Sequence, residues 1–323
     1  MLEYFQFDDK ILSHEEWDNF VDDSDNGTMF SKRRFLSYHA KNKFKDKSFY
    51  VTKDGKLHSI FTAALIEKDG KKILSSHPGA SYGGFVYKSD LNFKDAHELV
   101  DILFDHARSV KADRIQLTIA PMIYQTKYSD YLDFALLRNG FQYLKREVSS
   151  VVQLDFDPEQ LLNTFRAEAR TATKKALKKG VEIVETERFD EYYEILRKNL
   201  KLRHGVNPAH TLDELKKLKS LFPSKIRLWG AFHNNTMLAG VCNFSVNKNV
   251  VLAFYISHDE TYQEYRPVNL LFYEIMKRYQ TEGFRFLDFG IFTVAMEPNW
   301  GLGRFKENFG ARGIFRDTFY KDL

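Results

Sequence analysis

The hydrophobic pattern of this chain changes period many times, and each change marks an element. Residues 3–7 read as a strand, and Ser13–Val21 as a helix with Ser13 placed as its cap and Glu16 three residues on. A second helix is expected over Ser31–Lys43. Strand-like runs follow at Ser48–Lys53, Leu57–Ile66 and Lys72–Ser76, separated by the hairpin-type turns Asp54-Gly55 and Asp69-Gly70. Phe93–Val110 has Leu99, Ile102, Leu103 and Ala107 at helical spacing. Arg114–Ile119 reads as a strand, Tyr131–Arg138 as a helix closed by Asn139-Gly140, and Phe141–Phe156 as strand-rich.

The second half runs through the same order. Val181–Glu185 is a predicted strand, Asp190–Leu202 a helix, and Thr211–Leu221 a helix with Thr211 as cap and Glu214 at the capping-box position. Strands are expected at Ile226–Phe232, Met237–Val246 and Val250–Ile256. A helix over Val268–Gln280, a strand over Arg285–Phe289, a helix over Gly303–Phe309 and a last strand over Ile314–Tyr320 complete the chain. A supersecondary order repeated at a spacing of ~160 residues predicts an α+β protein of two similar domains with mixed central sheets. The boundary falls near Asp155–Glu159, giving domains 1–156 and 157–323.

Composition narrows this. A chain of 323 residues with 43% hydrophobic and 28% charged residues forms a globular core. The one cysteine, Cys242, excludes a disulfide framework and a cysteine zinc site within one chain. The apolar run Val250–Ile256 is far short of the ~20 residues of a membrane span. The acidic start MLEYFQFDDK lacks a signal core, so a cytoplasmic protein is expected. The net charge of +4 hides an asymmetry: residues 1–150 hold 22 basic and 22 acidic side chains, and residues 151–323 hold 26 and 22.

The excess sits in Arg166–Lys179, six cations against the single acid Glu168. Arg166, Arg170, Lys174 and Lys178 recur at i+4, so on a helix they form one stripe, with Leu162, Phe165, Ala169, Ala172 and Ala176 on another. Such a ridge suits the phosphates of a tRNA, a nucleotide-linked precursor or a coenzyme, and the plainer alternative is a solvated face. In Leu287-Asp288-Phe289-Gly290 followed by Gly301–Gly310, Lys306 stands between Phe305 and Phe309. Aromatics around a lysine can seat its ammonium beside a reacting carbonyl; the alternative is an exposed lysine over a core-facing aromatic pair. Ser75–Gly84 is a small-residue loop that matches no standard nucleotide motif. In Arg203–Thr211, Arg203 suits a phosphate or carboxylate, while His204 and His210 have no metal spacing.

These residues together resemble the Fem-type aminoacyltransferases and their GNAT-like relatives. The resemblance rests on Phe305-Lys306-x-x-Phe309-Gly310 after the Leu-Asp-Phe-Gly strand. It is supported by Arg166-x-x-x-Arg170…Ala176-x-x-x-Gly180-Val181 and by Leu238-Ala239-Gly240. It implies two tandem GNAT-like domains and attack of an amine on an activated acyl carbonyl. The donor is an aminoacyl-tRNA and the acceptor a peptidoglycan precursor in Fem enzymes; in GNAT relatives an acyl-CoA acylates an amino sugar or similar amine. No tightly bound cofactor is expected, and tRNA and a small-molecule or nucleotide-linked acceptor are the candidate partners. The resemblance puts Lys306 at the active site with Phe305 beside it, in a cleft between Val250–Ser257, which includes Tyr255, and Asp288. Asp288 or His258, or else solvent, is the candidate acceptor of the amine proton; Arg166, Arg170, Lys174 and Arg203 are the candidate phosphate contacts. Where GNAT enzymes have a glycine loop before the long helix, this chain has His258-Asp-Glu-Thr-Tyr-Gln-Glu-Tyr-Arg-Pro-Val-Asn269. Two other readings are a catalytically silent GNAT-like module binding a nucleotide-linked or RNA ligand, and a structural partner in an envelope pathway.

Overall fold

The computed structural model describes residues 1–323, the side chains of Arg203 and His204 excepted. It divides into two compact units, one of Met1–Glu147 with Phe315–Leu323 and one of Val148–Ile314. The single cut near residue 156 expected from the sequence is therefore replaced by two. The strand Gln142–Gln153 contains the first cut, and the strand Arg312–Asp322 contains the second. The end of that last strand belongs with the first unit because Thr318–Asp322 pairs antiparallel with Arg114–Thr118, and Arg114 holds Asp322 at 2.8 Å.

In the first unit, Leu2–Gln6, Phe49–Lys53, Lys56–Thr62 and Gly84–Tyr87 form an antiparallel sheet. The turn Asp54-Gly55 closes its central hairpin with both residues at positive φ, the geometry that matches strand twist. Lys71–Ser75 runs parallel to Arg114–Thr118 and antiparallel to Ala64–Lys68, so this part of the unit is mixed. The helix Phe93–Ser109 is capped by Asn92 and buries Leu99, Val100 and Leu103 against Phe49, Phe61 and Ile115. The helix expected over Ser31–Lys43 shrinks to Arg33–Leu36 after a single 3₁₀ turn. Asp18 accepts the first-turn amides of Arg33 and Arg34 and so fixes the start at Arg33, while the Ser37 hydroxyl donates to the Arg34 carbonyl at 2.7 Å in the last turn.

In the second unit the strands lie in the order Glu182–Thr186, Ile226–His233, Thr236–Ser245, Val250–His258, Phe286–Ile291 and the end of Gln142–Gln153. All neighbours are antiparallel except Val250–His258 and Phe286–Ile291, which are parallel. The helix Pro267–Thr281 buries Leu271, Phe272, Ile275, Met276 and Tyr279 on this sheet. Against it packs the helix Ala167–Lys178, which turns Ala169, Thr173 and Ala176 inward. The helix Phe189–His204 packs on Thr236–Ser245 and Val250–His258. Gly240 makes room for it, since a Cβ there would meet the Tyr192 ring at 2.4 Å. Among the described residues, no helix is long and apolar enough to cross a membrane.

Candidate functional site

The parallel pair in the second unit is short. Val250–His258 and Phe286–Ile291 pair only from Val250↔Phe286 to Leu252↔Asp288. Past Leu252 the first strand runs on to His258 beyond this pairing, so the two strands part. A bulge in Val250–His258, opposite Cys242 and Asn243 of the neighbouring strand, leaves Phe254 without a partner in the ladder.

Asp-Phe-Gly is what turns the second strand away. Gly290 lies at φ +73°, and its N–H donates to the Asp288 carboxylate at 2.7 Å. Asp288 is fully buried and also accepts from the Ser149 hydroxyl at 2.9 Å. The turn presents the carbonyls of Gly290 and Ile291, and the Lys306 ammonium donates to both, at 2.8 and 2.7 Å. Lys306 comes from the helix Trp300–Glu307, capped by Asn299. Of the two glycines in Gly301-Leu-Gly303, the second has the packing role: a Cβ at Gly303 would stand 3.0 Å from the Phe292 ring. Phe305 packs on Phe309 at 5.2 Å and stays half-buried, while Phe309 is fully buried.

Lys306 is only 2% exposed, and burial pulls its pKa down to about 8, with the charge of Asp288 opposing the shift. The amine thus holds its proton at neutral pH and releases it just above. Two of its three N–H groups go to carbonyls, and one remains.

The other expected site residues are placed differently. His258 lies six residues beyond Leu252, about 20 Å along the strand at 3.3 Å per residue, and so apart from Asp288 and Lys306. Its carbonyl accepts from Asn199, and its ring nears Glu260 at 3.6 Å. The Tyr255 hydroxyl meets His210 Nδ1 at 2.8 Å and accepts from the His210 amide, while Tyr192 donates to the Tyr255 carbonyl. Arg203 lies outside the described side chains. The expected single helix from Leu162 breaks at Phe165–Arg166: Arg166 takes an extended conformation, its amide donates to the Asn308 carbonyl, and the Phe165 ring packs on Phe309. Arg166 pairs with Glu307 while staying half exposed, and Arg170 is turned to the Phe165 carbonyl with its Nε buried. Lys174, Lys175 and Lys178 are exposed along the helix. Ser149 is the residue that sequence reading missed; it sits in an apolar strand, and only the pairing of that strand with Phe286–Ile291 reveals its role.

Comparison with known proteins meets this geometry. Residues 163–307, the segment that carries Lys306, match the family model of the acetyltransferase (GNAT) domain. The fold of the whole chain is that of FemX, at a TM-score of 0.76 and 14% identity, covering 99% of this chain and 97% of that one. It is shared with a tandem GNAT protein from the clavulanic acid biosynthesis pathway (TM-score 0.56, 12% identity, 100% and 98% covered). L-PGS from Bacillus licheniformis also shares it (TM-score 0.59, 12% identity, 95% and 90% covered). No curated protein matches the sequence. The chain thus has the tandem GNAT-like α+β architecture its sequence predicts, with a GNAT-domain match over residues 163–307.

Proposed function

We propose that this protein transfers an aminoacyl group to an amine on a cell-envelope precursor, with its reaction centre where Val250–His258 and Phe286–Ile291 part. The buried Lys306 ammonium is the observation that carries this reading. It is held by two carbonyls at the mouth of the parting, with one N–H left over. The amine nitrogen attacks the acyl carbon and forms the C–N bond. The carbonyl oxygen gains negative charge, which the remaining Lys306 N–H meets in a site of low dielectric. The bond to the leaving oxygen then breaks, and the proton lost by the amine ends on that oxygen or in water. Asp288, fixed by Ser149 and the Gly290 amide, acts as a positioning residue for the turn that holds Lys306.

The donor follows from the phosphate contacts. GNAT domains take acyl-CoA, yet the approach to the helix Pro267–Thr281 does not fit its pyrophosphate. A 3₁₀ turn over Glu260–Tyr265 fills the place of a glycine loop, Asp259 caps it, and Arg266 stands at φ +56°. Glu260 adds negative charge there, while Asp259 is paired with Lys198 at 3.5 Å and Glu264 with Lys179. The exposed Lys174, Lys175 and Lys178 favour a polyanionic donor instead, which supports aminoacyl-tRNA. The test is a transfer assay with charged tRNA or acyl-CoA as donor and a nucleotide-linked muropeptide as acceptor. Product from charged tRNA alone is the expected result. Product from acyl-CoA alone reverses the donor assignment. Binding without product from any donor supports the silent module, in which Lys306 only ties the turn together.

A further inference from the structure

Four two-residue turns in this chain share one backbone geometry, with both central residues at positive φ: Asp54-Gly55, Asp69-Gly70, Asn234-Asn235 and Ala295-Met296. The first three use the residues that accept it, glycine and short polar side chains that bond locally. The fourth does not. Ala295 at φ +52° and Met296 at φ +67° hold a left-handed conformation that strains an L side chain. Strain kept in one turn, where better-suited pairs serve the other three, points to a use for the side chains displayed there.

The display is apolar. Val294 is 73% exposed, Met296 58% and Trp300 80%, with Leu302 beyond them at 37%. The base beneath is fixed. Thr293 pairs with Pro298 and Val294 with Glu297, the Asn299 amide donates to the Phe292 carbonyl at 2.8 Å, and the Thr293 hydroxyl accepts from the Val148 amide at 2.9 Å. Asn299 then caps the helix that Trp300 opens, so the tryptophan stands beside the hairpin on an anchored element. The segment 293–302 contains no cation, and its one charge is the exposed Glu297. The next cation along the chain, Arg304, is engaged by Glu168 at 3.4 Å.

We propose that this hairpin tip and Trp300 dock the protein on a lipid bilayer, with Val294 and Met296 entering the acyl boundary and the indole lying at the headgroup level. The charge pattern selects this occupant. A polyanion needs cations that the segment lacks, and Glu297 opposes one, whereas a bilayer boundary asks for apolar side chains and an amphipathic aromatic. The size agrees, since a specific protein interface uses roughly 20–30 residues a side and this tip displays four apolar side chains. Glu297, next to Met296, keeps the insertion shallow because its carboxylate stays in water. Trp300 opens the helix that carries Lys306 six residues on, about 9 Å along its axis, so docking holds that helix at the lipid surface. The binding needs no substrate and does not rest on the transfer reading.

Titration of the full chain with phosphatidylcholine vesicles, read by tryptophan fluorescence and by co-sedimentation, tests this. Trp17 and Trp229 are buried, so a change in emission reports on Trp300. The emission should shift to the blue and be quenched by bromine-labelled acyl chains, with an affinity of about 10³ M⁻¹ in lipid, below that of one myristoyl chain. Binding should persist at about 0.5 M salt, where exposed charges are screened. Trp300→Ala and Met296→Ser should each weaken co-sedimentation about tenfold, the loss of one largely buried apolar side chain. The double variant Ala295→Asn, Met296→Gly installs a pair suited to the turn, so it should melt no lower than wild type and still bind vesicles about tenfold more weakly. No blue shift at about 5 mM lipid, where that affinity binds most of the protein, would overturn the proposal. So would vesicle binding that salt abolishes and these variants leave unchanged, which belongs to the exposed lysines of Ala167–Lys178. Self-association or tRNA binding that Trp300→Ala weakens, without vesicle binding, would assign the tip to a second copy or to RNA instead.

Discussion

Replacing Lys306 with Met tests the desolvated ammonium without reference to any substrate. The side chain keeps nearly its volume and loses its charge. A lysine moved from 10.5 to about 8 costs the folded state about 3 kcal/mol in its charged form, at about 1.4 kcal/mol per tenfold in acidity. Exposure is only 2%, so solvent screening removes little of this. The sign is fixed by proton counts. Between pH 8 and 10.5 the unfolded chain still holds a proton that the folded chain has released, so stability rises with pH in that window. The wild-type protein should gain up to about 3 kcal/mol relative to Lys306→Met between pH 7 and pH 10.5. The variant leaves the Gly290 and Ile291 carbonyls without a donor, but that cost of about 1–3 kcal/mol each is constant with pH and drops out of the difference. Cys242 and Tyr279, pushed up to about 12 in the folded state, contribute equally in both proteins and cancel from the difference. Urea denaturation of both proteins at pH 7, 8, 9 and 10.5 measures it. Parallel stability curves would show that the lysine is not desolvated and would refute the reasoning.

Three further outcomes follow from the packing. Gly240→Ala should destabilise the second unit by about 1–3 kcal/mol, because Tyr192 stands 2.4 Å from the new Cβ; thermal melting reads this. Ser149→Ala should cost about 1–3 kcal/mol by removing a donor from the fully buried Asp288, and a Ser149→Thr control that restores the hydroxyl should recover part of it. Lys174→Gln and Lys178→Gln should each lower the salt slope of tRNA binding by about 1 and weaken binding evenly across tRNA sequences.

The sequence carried the architecture further than the site. Ser13–Glu16 and Thr211–Glu214 form both capping boxes, because a cap is read from residues three apart. The tandem order was legible for the same local reason. The break at Phe165 was not, since it depends on Asn308 and Phe309, distant in sequence, taking the Arg166 amide and the Phe165 ring. Nor was the return of the last strand to the first unit, which rests on pairing with Arg114–Thr118. At the site, Phe305-Lys306 drew attention as a motif, but its clamp on two carbonyls follows from the left-handed Gly290 and from Ser149 on a strand far earlier in the chain. His258 looked adjacent because one strand contains both it and Leu252, and strand geometry then sets it about 20 Å away.

The central claim, that Lys306 meets the oxyanion of acyl transfer, is tested most directly by single-turnover transfer from charged tRNA with wild-type protein and Lys306→Met. The account predicts a loss of about 10²–10³ in the rate of the chemical step, with donor and acceptor affinity little changed, as when one oxyanion donor is removed. An unchanged rate in the variant would contradict it.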